Sequence, residues 1–278
     1  MSTTMKVKAL APWFGADRTI ASEIGKLLSG CKWVGVPFGG GMSALAHIDA
    51  PSIVVSDIHR YVINLARVVA CPLTLPHLAR RLRNTPFHAD VLKEAQGWCK
   101  DFVVGDQPDV SAAVNYFITQ WMGRSGKAGI DDEFNGNISI RWNGNGGDSN
   151  TRYRSAVKSL AEWNRIMRRC NFSVLDCFDF LDRCEDNPKH GLYVDAPWPD
   201  DGDRYKHSFT TEQQADLAEA LTAFKHCRLV IRYGDHPLIR RLYPEDRWHW
   251  RMIEGRTQGN NAKAEVLITR RSKSGLFD

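Results

Sequence analysis

The chain has 278 residues, 43% of them hydrophobic and 25% charged, with a formal net charge of +5 at pH 7. This length can bury a sizeable core, and the sequence has neither an apolar stretch of about eighteen residues nor a signal-peptide pattern, so we expect no membrane span and no secretion. The seven cysteines form no C-x-x-C pair and the nine histidines show no metal-ligand spacing. We therefore expect reduced thiols, no disulfide framework and no metal site.

The first predicted element is an apolar strand that begins at Cys31 and runs into three consecutive glycines, Gly39, Gly40 and Gly41, after which a helical pattern begins at Met42. Glycines let the backbone pass close to a ligand, and the amino end of a helix offers unpaired N–H groups. The pattern therefore predicts a ligand-binding loop. A tight turn alone is the alternative explanation of the glycines.

A second apolar strand is predicted over residues 52–57. It ends at Asp57, roughly twenty residues beyond the glycines, where nucleotide-binding α/β folds place an acid that accepts hydrogen bonds from ribose hydroxyls. The alternative is that Asp57 caps the helix predicted over residues 58–69, and the two roles are compatible.

Between residues 71 and 170 the alternation of strands and helices gives way to helical stretches and a segment rich in glycine and asparagine. Residues 141–170 contain seven basic and two acidic side chains, a surplus equal to that of the whole chain. Such a surface favours phosphate contacts and a salt-dependent affinity. The alternative is the solvated face of a helix over residues 156–170, on which Leu160, Trp163 and Met167 fall on one side.

The most informative segment is Asp195-Ala196-Pro197-Trp198, which follows an apolar strand predicted over residues 191–194. Open α/β sheets bind ligands at the carboxyl edge, where this segment places a carboxylate and a flat ring. Asp195 and the Ala196 carbonyl can accept hydrogen bonds from an exocyclic amino group of a nucleobase, while Trp198 stacks on the base. The alternative is an ordinary turn at the end of a strand.

Together these motifs resemble the Dam-type DNA adenine N6-methyltransferases (D12 class, α group), and the similarity runs nearly end to end. Four segments are similar to the amino-terminal, cofactor-loop, acidic and catalytic motifs of that family: residues 11–18, 37–41, 56–58 and 195–198. Segments similar to the remainder of the family pattern are residues 205–214, a helix over 215–225 and strands over 228–231 and 264–269.

Three positions depart from the family pattern. Ala196 replaces the first of two usual prolines, although its carbonyl is retained and Pro197 favours extended backbone angles at Ala196. Val36 stands where an acid commonly precedes the cofactor loop, and Asp17 stands where a lysine is expected, with Arg18 beside it. Because the aspartate and the aromatic residue of the catalytic motif are intact, we expect an active enzyme whose rate the lost rigidity can reduce.

The resemblance implies an α/β fold with a Rossmann-like S-adenosylmethionine-dependent methyltransferase core, in which helices cover both faces of a mixed, mostly parallel sheet. Residues 1–70 and 171–278 would form this catalytic domain, and residues 71–170 an inserted, mainly helical target-recognition domain. The cofactor is S-adenosylmethionine. The residues implied to bind it are Trp13, Gly15, Pro37, Phe38, Gly39, Gly40, Gly41, Asp57, Ile58, Asp176 and Cys177, and the catalytic set is Asp195, Ala196, Pro197 and Trp198.

The implied partner is double-stranded DNA, out of which the target adenine is flipped. Residues 141–143 resemble the Arg-aromatic-Asn motif of the family; arginine and asparagine suit guanine and adenine edges, and the aromatic ring can stack or wedge. The alternative is a solvent loop that contacts nothing. The residues predicted to bind DNA are Arg124, Arg141, Trp142, Asn143, Arg152, Arg154, Arg168 and Arg169.

The resemblance also implies a cytoplasmic, bacterial or phage-encoded enzyme of DNA modification, for example in restriction-modification, acting as a monomer or weak dimer. RNA adenine or cytosine N4 could replace DNA adenine as the target, although N4-cytosine enzymes usually carry serine at the position of Asp195. A catalytically silent nucleic-acid-binding protein on a methyltransferase core would explain Val36, Asp17 and Ala196 together. A nicotinamide-dependent oxidoreductase would share the glycine turn but would not explain residues 195–198.

Overall fold

The computed structural model describes residues 9–13, 18–124, 129, 132–142, 147–199, 209–256 and 262–271. Strands and helices alternate in the first and last parts of the chain, and a run of helices separates them. The elements are α1 (Ala21–Leu27), β1 (Trp33–Val36), a 3₁₀ helix (Ser43–Ala46), β2 (Ser52–Ser56), α2 (Arg60–Ala70), α3 (Leu75–Asn84), α4 (Ala89–Asp101), α5 (Val110–Met122), α6 (Ser149–Met167), β3 (Cys170–Ser173), α7 (Cys177–Leu181), β4 (His190–Val194), α8 (Thr211–Ala223), β5 (Arg228–Gly234), α9 (Pro237–Leu242), β6 (Trp248–Arg256) and β7 (Ala262–Arg270).

In the described part of the chain the strands form one sheet with the order β3-β2-β1-β4-β5-β7-β6. Strands β1 to β5 run parallel to one another, and β7 runs antiparallel to both β5 and β6. The predicted α/β fold with a mixed, mostly parallel sheet is therefore confirmed, and it is compatible with a Rossmann-like core. Since β2 and β4 lie on opposite sides of β1, the strand order reverses between β1 and β4, which is a topological switch point.

Helices cover both faces of this sheet. Side chains alternate between the faces of a strand, and Val34, Val55 and Val230 point to one face, where they share a buried core with α1 to α6. Leu192 and Ile231 point to the other face and pack with α7 to α9. The predicted coverage of both faces is confirmed.

The helices predicted between residues 71 and 170 are present as α3 to α6. Leu78 of α3, Phe117 of α5 and Trp163 of α6 belong to the same buried cluster as the strand residue Val55. These helices and one face of the sheet therefore share a continuous core. In α6 the predicted apolar side is confirmed, because Leu160, Trp163 and Met167 are all buried.

Some predicted boundaries are wrong. No α-helix follows the glycines: Met42 has φ of 59°, a left-handed conformation that interrupts a right-handed helix, and only the 3₁₀ helix forms there. Helix α6 begins at Ser149 rather than 156, because the Asp148 side chain caps it by accepting from the Thr151 N–H at 2.7 Å. The helix ends at Met167, and Cys170 opens the unpredicted strand β3.

Among the described residues, no single helix is long and apolar enough to cross a membrane, and α2 with α3 pass that test only as a pair bent by 107°. These residues also contain no group of three or more His, Cys, Asp or Glu side chains that could hold a metal ion. All seven cysteines are free thiols.

Candidate functional site

The glycine turn and the Asp195 segment leave adjacent strands at the same edge of the sheet. Strands β1 and β4 are parallel neighbours, with Gly35 opposite Leu192. Residues 37–41 follow the carboxyl end of β1, and residues 195–198 follow the carboxyl end of β4. Because the strand order reverses here, the two segments flank the crevice at which open α/β sheets bind ligands.

The glycine turn is held by the end of β2. The Gly39 N–H donates to the Ser56 carbonyl at 2.8 Å, and the Gly40 N–H donates to the Asp57 carboxylate at 2.8 Å. Gly40 has φ of +46°, which an L side chain rarely adopts. The carboxylate of Asp57 therefore fixes the shape of the turn.

Asp57 is not the cap of the following helix, so that alternative is wrong. Its second carboxylate oxygen accepts from the His59 N–H at 2.8 Å, and His59 is the N-cap of α2. The His59 ring accepts from the Val62 N–H at 3.4 Å. Asp57 is buried beside Ile58, whose side chain is partly exposed. Its predicted contact with a ribose stays a prediction.

Trp13 of the amino-terminal motif closes over the glycine turn. A Cβ added to Gly40 would lie 3.2 Å from the indole Nε1, and one added to Gly41 would lie 2.9 Å from the Trp13 Cβ. Gly129, in the segment after α5, packs against the indole. A Cβ added to Gly129 would lie 2.6 Å from the indole Cζ2. Trp13 therefore leaves little room for a side chain at Gly40 and Gly41, and its indole leaves none at Gly129. Gly15, also predicted to bind the cofactor, lies outside the described residues.

The segment before α7 also reaches this edge. The Ser56 hydroxyl donates to the Leu175 carbonyl at 2.8 Å and accepts from the Leu175 N–H at 2.9 Å, which ties this segment to the end of β2. Asp176 caps α7 by accepting from two backbone N–H groups at 2.8 and 3.0 Å. Burial raises the pKa of the Cys177 thiol to about 12, so it is a neutral core group.

Three aromatic rings connect α7 to the glycine turn. The rings of Phe178 and Phe209 stack with centroids 6.2 Å apart, and Phe209 meets Phe38 edge-on at 5.9 Å. Phe38 immediately precedes Gly39. The segments predicted to bind the cofactor, as far as they are described, therefore lie around one edge of the sheet.

Asp195 and Trp198 are joined by Arg232, a residue of β5. One oxygen of the Asp195 carboxylate accepts from Arg232 Nη1 at 2.8 Å and from the Tyr193 hydroxyl at 3.3 Å. The guanidinium donates to Glu265 of β7 through Nε at 3.2 Å and Nη2 at 2.8 Å. Its Cζ lies 5.0 Å from the centroid of the Trp198 ring. The side chain of Arg232 is 2% exposed and that of Asp195 is 20% exposed.

The turn between Asp195 and Trp198 is held from α8. The Gln214 side chain donates to the Pro197 carbonyl at 2.7 Å and accepts from the Tyr233 hydroxyl at 2.6 Å. Ala196 is buried. Burial raises the pKa of Tyr233 well above its ordinary value, so its hydroxyl stays a donor. Pro197 is thus fixed by a two-step hydrogen-bond chain that ends in β5.

Sequence reasoning missed Arg232, Glu265 and Gln214. The apolar run before Arg232 suggested that the strand ends at Ile231, whereas β5 continues to Gly234. The available signal was a charged residue at the carboxyl end of a buried strand, because a buried charge requires a partner. The identity of that partner depends on strand pairing that the sequence does not display.

A buried hydrogen-bond network also connects α5 and the segment after it to the carboxyl end of β2, where Asp57 lies. The His59 Nε2 lies 2.8 Å from the Glu133 carboxylate, which accepts from Gln120 at 2.8 Å through its other oxygen. The His59 ring meets the Trp13 indole edge-on at 5.4 Å. His59 therefore links Glu133 to the residues that hold the glycine turn.

Several predicted DNA-binding residues form an exposed basic surface. Arg124 and Arg141 are exposed, and Trp142 is 91% exposed. Partial burial, followed by the nearby positive charges of Arg18 and Arg141, lowers the pKa of Arg152 from its ordinary value, although much of its surface is exposed. Arg18, Arg141 and Arg152 therefore lie in one region, and this concentration of positive charge suits an anionic ligand. Asn143 lies outside the described residues.

Other predicted DNA-binding residues contact the protein backbone. Arg154 donates to the carbonyls of Arg83 and Thr85 at 2.9 and 3.0 Å, at the end of α3. Arg169 donates to a carbonyl of the loop before β2 at 3.1 Å. Arg168 is exposed beside it. Arg154 in particular has a structural role that the basic pattern did not reveal.

No protein-family model matches the sequence, and no curated protein matches it at a significant level. Function is therefore inferred from the geometry of this edge and from the resemblance of its motifs.

Proposed function

We propose that the protein is a DNA methyltransferase that transfers a methyl group from S-adenosylmethionine to the N6 amino group of an adenine flipped out of the duplex. The observation that carries the proposal is the position of the glycine turn and residues 195–198. They resemble cofactor-binding and catalytic motifs, and they flank the crevice at the switch point between β1 and β4.

The residues around the glycine turn fit such a cofactor. Gly39, Gly40 and Gly41 present backbone without side chains, and Trp13 forms a wall beside them. Asp57, Ile58 and residues 176–178 would complete the donor site. S-adenosylmethionine supplies a methyl group on a positively charged sulfur, which an amine can accept directly.

Asp195 and the Ala196 carbonyl would hold the amino group of the target base, since both are hydrogen-bond acceptors. Trp198 would stack on the base, a contact worth about 1–3 kcal/mol, and so offset part of the few kcal/mol that base flipping requires. Holding the amino group in line with the methyl group accounts for much of the proposed acceleration.

Duplex DNA is the proposed substrate because the exposed basic surface contains the aromatic side chain of Trp142. Arginines such as Arg141 and Arg152 would neutralise phosphates, and an exposed ring can stack or wedge at a base step. RNA adenine, cytosine N4 and a silent nucleic-acid-binding core are alternatives, and the first experiment separates them.

Purified protein is incubated with S-adenosylmethionine and unmethylated duplex DNA, and the DNA is digested to nucleosides for mass spectrometry. We expect N6-methyldeoxyadenosine. N4-methyldeoxycytidine alone would change the target base. Donor binding without a DNA product, followed by methylation of RNA, would change the substrate. A protein that neither binds the donor nor modifies nucleic acid would contradict the proposal.

A further inference from the structure

We infer that Arg232 is a positioning residue of this site, which holds the Asp195 carboxylate and the Trp198 ring in the arrangement that grips the target base. The inference rests on the function proposed above and assigns Arg232 no direct contact with the base.

Burial indicates that Arg232 has a role beyond stability. Its side chain is 2% exposed and lies between two carboxylates, Asp195 and Glu265. Desolvation of such ions costs several kcal/mol each, and apolar replacement of a buried ion cluster is often neutral or stabilising. An ion cluster at the edge of a sheet is therefore poorly explained by stability alone. Its position beside the proposed catalytic carboxylate supplies a functional reason.

Strands β5 and β7, which follow β4 in the order of the sheet, fix the orientation of the guanidinium. Gly234 lies opposite Glu265 in the β5–β7 pair, and Arg232 lies opposite Leu267, so Arg232 and Glu265 are diagonal neighbours on one face. Glu265 accepts from Nε and Nη2, which leaves Nη1 directed at Asp195. Because the guanidinium is planar and its donors are fixed in a fork, the contact with Glu265 sets the direction of the contact with Asp195.

The same guanidinium supports the stacking platform. Its Cζ lies 5.0 Å from the centre of the Trp198 ring, within the range of a cation–π contact. A single side chain thus fixes both the acceptor for the amino group and the ring that stacks on the base.

The test compares Arg232→Met and Arg232→Lys with a control on a chemically matched arginine. Arg240 also pairs with a carboxylate, Asp235, at 2.7 and 2.9 Å and lies over a tryptophan ring, Trp250, at 4.9 Å. It is exposed and contacts none of residues 195–198 in the described contacts. Arg240→Met therefore removes the same kinds of interaction outside the proposed site.

Each variant is given tritium-labelled S-adenosylmethionine and duplex DNA of random sequence, with protein in excess, and the single-turnover rate and the donor Kd are measured. A misplaced reacting group costs about 100-fold in rate, so we expect a loss of this size for Arg232→Met while donor affinity changes much less. Arg232→Lys should recover part of the rate, because lysine keeps the charge but not the fork. Arg240→Met should keep the wild-type rate.

Loss of Arg232 alone leaves Glu265 as a buried, unpaired charge, which could unfold the protein. The double variant Arg232→Met with Glu265→Leu removes both charges and so relieves this penalty. If Arg232 positions Asp195, the double variant folds and remains slow. Wild-type turnover by the double variant would show that Arg232 merely neutralises Glu265 and would overturn the inference.

The outcomes also separate this inference from the proposed function. An active wild-type protein with equally active Arg232 variants would overturn the positioning role and leave the methyltransferase proposal intact. A wild-type protein that binds no donor and transfers no methyl group would overturn both.

Discussion

At Asp195 one carboxylate serves both the architecture of the sheet edge and the proposed chemistry. Its contacts with Arg232 and Tyr193 orient it, and its 20% exposure leaves it in reach of the crevice. Arg232 and the Tyr193 hydroxyl both bond to the same carboxylate oxygen, Oδ2. The carboxylate is therefore held in place and is still partly exposed.

Asp195→Ala is expected to abolish methyl transfer to DNA, with a loss of at least about 100-fold, because preorganised hydrogen bonds to a reacting group are worth that much. The fold should persist, since Arg232 keeps its two contacts with Glu265. Incorporation of labelled methyl groups measures the activity, and thermal unfolding checks the fold. Near-normal turnover would remove Asp195 from the catalytic role.

At the scale of elements, the glycine turn depends on backbone angles that few residues adopt. Gly40 has φ of +46°, and its amide bonds to Asp57. An added Cβ would lie 3.2 Å from the Trp13 indole. Position 40 therefore requires a backbone conformation that favours glycine and leaves little room for a side chain. Contacts with Asp57 and Trp13, which belong to other segments, impose these two requirements.

Gly40→Ala is expected to weaken donor binding about tenfold, because the left-handed conformation costs an L residue about 1–2 kcal/mol that binding must restore. Calorimetry with S-adenosylmethionine measures the Kd. Gly97→Ala in α4 is the control: nothing lies within 4 Å of its added Cβ, and alanine is the better helix former. Equal donor affinity of the two variants would contradict a binding role for the turn.

A loop carboxylate, Asp186, joins the start of β4 to that of β5. It accepts from the N–H groups of Lys225, His226 and Cys227 at 2.7, 2.8 and 2.7 Å. Partial burial raises the pKa of Asp186, but the three donors lower it more, so the net pKa lies below its ordinary value. The folded state therefore gains stability above the ordinary pKa and loses it as the pH falls through the lowered value.

Asp186→Ala should lower the free energy of unfolding at neutral pH by about 1–3 kcal/mol, as expected when donors lose a charged acceptor. The difference from the wild-type protein should shrink in acid, where the wild-type carboxyl is protonated as well. Urea unfolding at neutral and acidic pH measures it. Glu185→Ala, at the exposed carboxylate beside it, is the control. A difference that is constant with pH would contradict the ionised cap.

Local patterns were enough to predict β1, β2 and β4, because each is an apolar run with a turn or an acid at its end. Strand β6 was not predicted, although Trp248 and Trp250 alternate with His249 and Arg251 in the period-two pattern of a strand with one buried face. Arg232 is separated in sequence from its partners Asp195 and Glu265 by 37 and 33 residues. Its contacts therefore depend on which strands pair and in which register. The sheet edge that the glycine turn and Asp195 share was therefore predictable, and the contact between Arg232 and Asp195 was not.

For the whole molecule, the proposed site lies where the sheet and the segment after α5 meet. Trp13 contacts the glycine turn and Gly129, and His59 bonds Glu133 while its N–H holds Asp57. Both links join the part predicted to recognise DNA to the part predicted to bind the donor.

The basic surface leads to a test of DNA binding that distinguishes arginines by their surroundings. Each neutralised phosphate contributes a slope of about 0.9 to the logarithmic dependence of affinity on salt, so Arg141→Ala with Arg152→Ala should lower the slope by about 2. Arg154→Ala should leave the slope unchanged but reduce stability, because two carbonyls lose their donor. Fluorescence anisotropy with duplex DNA across salt concentrations measures the slopes, and thermal unfolding measures the stability. If Arg154→Ala lowers the slope and the double variant does not, the DNA-binding surface lies along α3 rather than around Trp142.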